Sequence, residues 1–155
     1  MSQSTALRGI LATAALMWAG ALIFGAFLAS RSGIGPIGYF ISAAIYGVGS
    51  LVCHQRPERS FHIWGAQLPV CARCTGIYAG AALAAVTAII RRVDVNRDPV
   101  LMHVKRAVFL AALPTMLTLL LEWTTGQMPG NWLRATTGSL LGAIVAWIVV
   151  ASSAR

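Results

Sequence analysis

The chain has 155 residues, of which 57% are hydrophobic and only 10% charged. An ordinary globular protein carries roughly 25% charged residues, so there is too little charge here to cover a water-facing surface. That excludes a soluble enzyme and a disordered chain, and three cysteines are too few and odd in number for a disulfide framework. The net charge of +8 does not mark a nucleic-acid interface, because the basic residues form no stripe interleaved with stacking aromatics. They sit between apolar runs. The composition is that of an integral membrane protein: an all-α, polytopic helical bundle in a lipid bilayer, forming a single domain over residues 1–155.

A bilayer core of about 30 Å takes roughly 20 apolar helical residues. Between Arg8 and Arg31 lie 22 residues without a charge, predicting a first span over 9–30. Between Arg31 and Arg56 there are 24, predicting a short, Gly-rich second span over 37–52. A third is expected over 69–90, with Pro69 at the first helical position, where no hydrogen bond is lost, and Arg73 in the first turn. The fourth, 107–122, is compressed: 15 residues separate Arg106 from Glu122, so Lys105 and Arg106 must snorkel toward headgroups. The fifth runs over 133–151. Five spans are expected, or four if 37–52 lies in the interface or re-enters.

Orientation follows the bias of Lys and Arg in short loops. Segment 91–106 holds five basic residues and is expected in the cytoplasm. With five spans that face carries seven basic residues against four, or five with Arg73, on the other. The expectation is a cell inner membrane protein with its N-terminus outside and its C-terminus cytoplasmic. A cleaved signal peptide is rejected for residues 1–30, because the apolar run is too long and no small-x-small site precedes Arg31. Two spans separate loops 53–69 and 122–134, so these share one face, and every unusual polar residue lies in or beside them. Gly76, Gly80 and Ala84, and likewise Gly138, Gly142 and Ala146, repeat every four residues, as in helices that approach closely in lipid.

The segment LVCHQRPERSFHIWGAQLPVCARCTGIYAG holds all three cysteines. Cys53 and His54 end one span, and Cys71-x-x-Cys74 opens the next. The last two lie i, i+3, on one helical face. Folding the intervening loop as a hairpin brings Cys53 back to them. Three thiolates and an imidazole form a tetrahedral Cys3His set suited to zinc, with His54 the first choice for the fourth ligand and His62 the second. The same atoms support another reading: Cys71 and Cys74 at a helix N-terminus beside Arg73 have lowered thiol pKa values, as a redox pair in a quinone-linked thiol–disulfide oxidoreductase would. A transporter or channel subunit is disfavoured, since nothing charged lies near the middle of a span.

Arg73 borders hydrocarbon, where an unpaired guanidinium is expensive. Glu122 is therefore expected to pair with Arg73, Arg134 or Arg59 on the common face. Gln55, Thr75, Asn131 and Gln127 are candidates for a polar pocket or for groups supporting a metal. Such a pocket suits an anionic lipid headgroup or a small anionic ligand. Trp123 and Trp132 are expected as headgroup-belt anchors, and Arg56 and Glu58 as part of a solvated loop.

CHQRPERSF followed by LPVCARCTGIYAG, with Asn131, Arg134, Thr137 and Gly138 further on, resembles a family of small prokaryotic predicted membrane proteins of unknown function. The resemblance covers about residues 45–140. Its motifs are C-H-Q with R-S-F, C-A-R-C-T-G-I-Y, and N-x-x-R-x-x-T-G, here Cys53 to Gln55, Arg59 to Phe61, Cys71 to Tyr78, and Asn131 to Gly138. It implies that His54, which belongs to the motif, is the fourth ligand ahead of His62, which does not. It implies no activity.

Overall fold

A computed structural model describes residues 3–91 and 103–153. Five helices make up the fold: α1 (Gln3–Ala29), α2 (Gly35–Val52), α3 (Ala72–Ile90), α4 (Val104–Thr125) and α5 (Asn131–Ser152). All five are long and apolar enough to cross a membrane. Between α2 and α3 the chain forms a 3₁₀ turn, Pro57–Arg59, and a small antiparallel hairpin of β1 (His62–Ile63) and β2 (Ala66–Gln67). Most of the basic loop 91–106 lies outside the described residues.

Two element boundaries differ from the sequence reading for local reasons. Helix α3 begins at Ala72, not at Pro69. Leu68, Pro69 and Val70 are instead a fully buried run that wedges Cys71 into the interior before the first helical turn. Helix α4 continues on both sides of Pro114 to Thr125, three residues past Glu122. It ends where Gly126, with a left-handed φ of 67°, donates its amide to the Glu122 carbonyl at 3.1 Å.

Helices α3 and α5 lock together through the two small-residue rows. A Cβ placed on Gly76 would lie 2.8 Å from the Ala135 Cα, and one on Gly80 would lie 2.9 Å from the Ser139 Cα. Reciprocally, Gly138 abuts the Arg73 carbonyl and Gly142 the Ile77 carbonyl. Backbone thus meets backbone along the seam, the contact that drives helix association where lipid offers no hydrophobic gain. Helix α4 is tied on by the Thr115 hydroxyl, which donates to the Thr137 carbonyl at 3.0 Å.

Helix α1 runs antiparallel to α3. Ala12 packs with Ala85, Ala88, Val150 and Ala151, Trp18 meets Tyr78 edge-on at 5.9 Å, and Leu22 packs with Cys53 and Val70. Near the start of α1, Arg8 donates to the Ala151 carbonyl at 3.1 Å. The beginning of α1 and the end of α5 therefore lie at the same end of the bundle. This corrects the expected arrangement, in which they lie on opposite faces.

The reason is the lie of α2. Its Ser42 hydroxyl donates to the Gly25 carbonyl, its Tyr46 hydroxyl to the Gln67 carbonyl, and Gly49 presses on Pro69. Cys53 follows directly and receives the Cys71 amide. These contacts of Ser42, Tyr46, Gly49 and Cys53 are with Gly25, near the Ala29 end of α1, and with the 67–71 segment that leads into α3. Held by these contacts, α2 packs at that end of the bundle over residues 42–53, as the interfacial alternative for 37–52 requires. Its outer side exposes Ile37, Phe40, Leu51 and Val52, an apolar surface suited to lying in the membrane boundary.

Candidate functional site

The loop from Cys53 to Cys71 is built around Gln55. Its left-handed φ of 49° reverses the chain just after the Cys53–His54 pair. Hydrogen bonds hold this conformation: the Gln55 Nε2 donates to the carbonyls of Tyr46 and Pro69, both at 2.7 Å, and Gln67 Nε2 donates to the Gln55 carbonyl at 2.6 Å. At the hairpin tip, Trp64 and Gly65 both have positive φ, 54° and 80°, the twist that two-residue hairpin loops require. Trp64 packs edge-on against Phe27 of α1, ring centroids 5.5 Å apart. The hairpin is thereby fastened at the end of α1, and its return strand delivers Cys71.

The three sulfurs converge. Sγ atoms of Cys53, Cys71 and Cys74 all lie within 4.8 Å of one another. Tetrahedral zinc with Zn–S bonds of about 2.3 Å sets its sulfurs roughly 3.8 Å apart, so the set is compatible with a shared ion. All three are free thiols, seated on Leu22, Val70, Trp18 and Tyr78. The Cys71 amide donates to Cys53 Sγ at 3.1 Å. The Cys74 thiol and the amides of Cys74 and Arg73 favour a thiolate at Cys71 and outweigh its burial, so its pKa falls to about 5.

Neither histidine joins the sulfur cluster among the described residues. Cys53 has an extended backbone, φ −150° and ψ 139°, so successive side chains there diverge. His54 is exposed but lines the same cavity as the thiols. His62, also exposed, sits on the hairpin and is not among the cavity-lining residues.

Beside the thiols lies a charge cluster. Glu122 is buried and ion-paired with three arginines: Arg59 Nη2 lies 2.8 Å from Oε1, Arg134 Nη2 donates to Oε1 at 3.0 Å, and Arg73 Nη2 lies 3.8 Å from Oε2. All three expected partners are used at once. Arg73 also donates to Thr118 Oγ1 at 3.3 Å. Asn131 Nδ2 donates to the Ser60 carbonyl at 3.0 Å, joining the two polar loops, and Phe61 meets Trp132 at 5.0 Å between centroids. Thr75 plays another part: its hydroxyl donates to the Cys71 carbonyl at 3.1 Å, steadying the helix start. Gln127 is exposed, and its backbone amide donates to Thr125 Oγ1 at 3.2 Å.

Thiols and arginines face one cavity of about 460 Å³, lined by Cys53, Cys71, Cys74, His54, Arg56, Arg59, Arg73 and Trp123, among others. Sequence reasoning missed Ser60, Gln67 and Thr118. Ser60 is 1% exposed and its hydroxyl donates to the Arg56 carbonyl; its place in the R-S-F motif was the available signal. Thr118 lies one helical turn before Glu122, a spacing that sets both on one face. Arg56, read as a loop-surface residue, lines the cavity.

Residues 53–148 match the family model described as "Predicted membrane protein (DUF2085)". The chain belongs to this family. It is 34% identical over 87 residues to an uncharacterized protein of Methanothermobacter thermautotrophicus, a match covering 56% of this chain and 74% of that one. It is 61% identical over 41 residues to an uncharacterized protein of Methanocaldococcus jannaschii, covering 26% of each. The chain thus spans about a quarter of that relative's length. No solved structure matches it. The family match contains all three cysteines, Glu122 and the three arginines that pair with it, so the whole constellation lies within the shared region.

Proposed function

We propose that this family member is a zinc-binding membrane protein whose metal pins the 53–71 loop to the start of α3. The observation that carries this is the mutual approach of three sulfurs from two chain segments 18 residues apart, all within 4.8 Å. A thiolate-rich set favours zinc among the common divalent ions. His54, next to Cys53 and on the wall of the same cavity, supplies the fourth ligand in this reading. With four protein ligands the ion is structural: it has no open position for a reacting water.

In the same reading the protein resides in a cell inner membrane. Segment 91–106 with its five basic residues faces the cytoplasm, as do the start of α1 and the end of α5, and the thiol site faces outward. An outward face is oxidising in many compartments, and a bound metal keeps the thiols from pairing.

Metal analysis of the detergent-purified full chain tests the proposal. About one zinc per chain is expected, lost in Cys71→Ser. A metal-free protein carrying a Cys71–Cys74 disulfide in cells overturns it and supports thiol–disulfide chemistry instead.

A further inference from the structure

The arginine cluster holds more positive charge than its one carboxylate neutralises. Arg59, Arg73 and Arg134 share the single carboxylate of Glu122, leaving a formal charge of +2. Arg134 is 2% exposed, so water does not screen it. Among the described residues the cluster leaves four buried guanidinium nitrogens without an acceptor, Arg59 Nε, Arg73 Nε, and both Nε and Nη1 of Arg134, and one buried carboxylate oxygen, Glu122 Oε2, without a hydrogen-bond donor. Buried donors are normally satisfied, and those of a charged group most of all. Arg59 and Arg73, with Arg56, line the cavity, and no carboxylate does.

We propose that this cavity binds a phosphate-class oxyanion, either free phosphate or the phosphomonoester headgroup of a lipid. Such a group carries a charge of about −1.5 to −2 at pH 7 and three acceptor oxygens, complementary to the guanidiniums of Arg56, Arg59 and Arg73 on the cavity wall. Guanidinium forks bind phosphate through paired hydrogen bonds. Arg59 and Arg73 contact the anion, and Arg134 sits behind Glu122, holding the carboxylate away from full neutralisation of the other two. Exposed Trp123 and Val52 on the cavity wall set its mouth at the membrane boundary. The inference stands on the arginines and does not depend on the metal.

The test uses the full chain in zwitterionic detergent and phosphate-free buffer. Unfolding temperature is followed against inorganic phosphate, with chloride at matched ionic strength as control. In a second arm, binding is measured to phosphatidylcholine vesicles with and without phosphatidic acid. Saturable stabilisation by phosphate, absent with chloride, supports a free-anion ligand; selective binding to phosphatidic acid alone supports the headgroup. Arg59→Gln weakens either response about ten- to a hundredfold, the share of one charge-assisted hydrogen bond, and leaves zinc content unchanged. Glu122→Gln removes the competing carboxylate, so the anion restores much of the stability that this variant loses. Equal responses to chloride and phosphate with no preference for phosphatidic acid overturn the proposal, as does an Arg59→Gln protein that responds like wild type.

Discussion

Replacing Glu122 by Gln keeps the side chain's shape and removes its charge, leaving three guanidiniums around a neutral amide. Two of the three ion pairs are short, 2.8 and 3.0 Å, and Glu122 and Arg134 are 4% and 3% exposed at their side chains. Removing one member of a buried ion pair costs about 3–5 kcal/mol, because the remaining charge stays buried and uncompensated. In a chain of this size about 1 kcal/mol moves the unfolding temperature by roughly 2–4 °C, so a fall of about 6–20 °C is expected in phosphate-free buffer. The assay is thermal unfolding in detergent. Combining Glu122→Gln with Arg134→Gln tests the coupling: the double variant should lose less than the sum of the two single losses. A fall below about 1 °C for Glu122→Gln, outside the scale for breaking a buried pair, refutes the reasoning.

Cys53→Ser and Cys74→Ser each abolish stoichiometric zinc, and His62→Ala retains it, as read by metal analysis of purified protein. His54→Ala weakens zinc retention in a chelator competition; unchanged retention removes His54 from the ligand set. Gly80→Ala and Gly142→Ala force the α3–α5 backbones apart and lower the unfolding temperature, with losses on the scale of about 1–3 kcal/mol for overpacking. Gly20→Ala, in open space on α1, does not, because a helical alanine is favoured over glycine by about 0.5–1 kcal/mol. Impermeant thiol reagents, corrected for wild-type labelling, modify Ser32→Cys and His62→Cys from the same side of sealed vesicles. Labelling from opposite sides contradicts an interfacial α2.

The site was more legible than the topology. Cysteine spacing alone joins Cys71 to Cys74, since i, i+3 residues share a helix face, and the return of Cys53 follows from a hairpin-length loop. The convergence of arginines on Glu122 follows from the cost of leaving a guanidinium unpaired at the edge of hydrocarbon. The Gly rows on α3 and α5 announce close packing by their spacing. The lie of α2 was not legible, because an 18-residue apolar helix has the same hydropathy whether it crosses the membrane or rests in its boundary. What decides is tertiary: the grip of Gln55 and Tyr46 on the 67–69 segment. The same tertiary contacts hide the start of α3. Pro69 reads as a first helical residue, but its carbonyl is engaged by Gln55 and its ring is buried. The fourth position was less legible than the sulfurs, since an extended Cys53 turns successive side chains apart and sets His54 on the cavity wall rather than within the sulfur cluster.

X-ray absorption at the zinc edge on the purified full chain addresses the central claim most directly. Three sulfur scatterers at about 2.3 Å and one nitrogen at about 2.0–2.1 Å are predicted, with the sulfur shell reduced in Cys53→Ser. A shell of oxygen and nitrogen alone, or a chain that holds no zinc at all, contradicts the account.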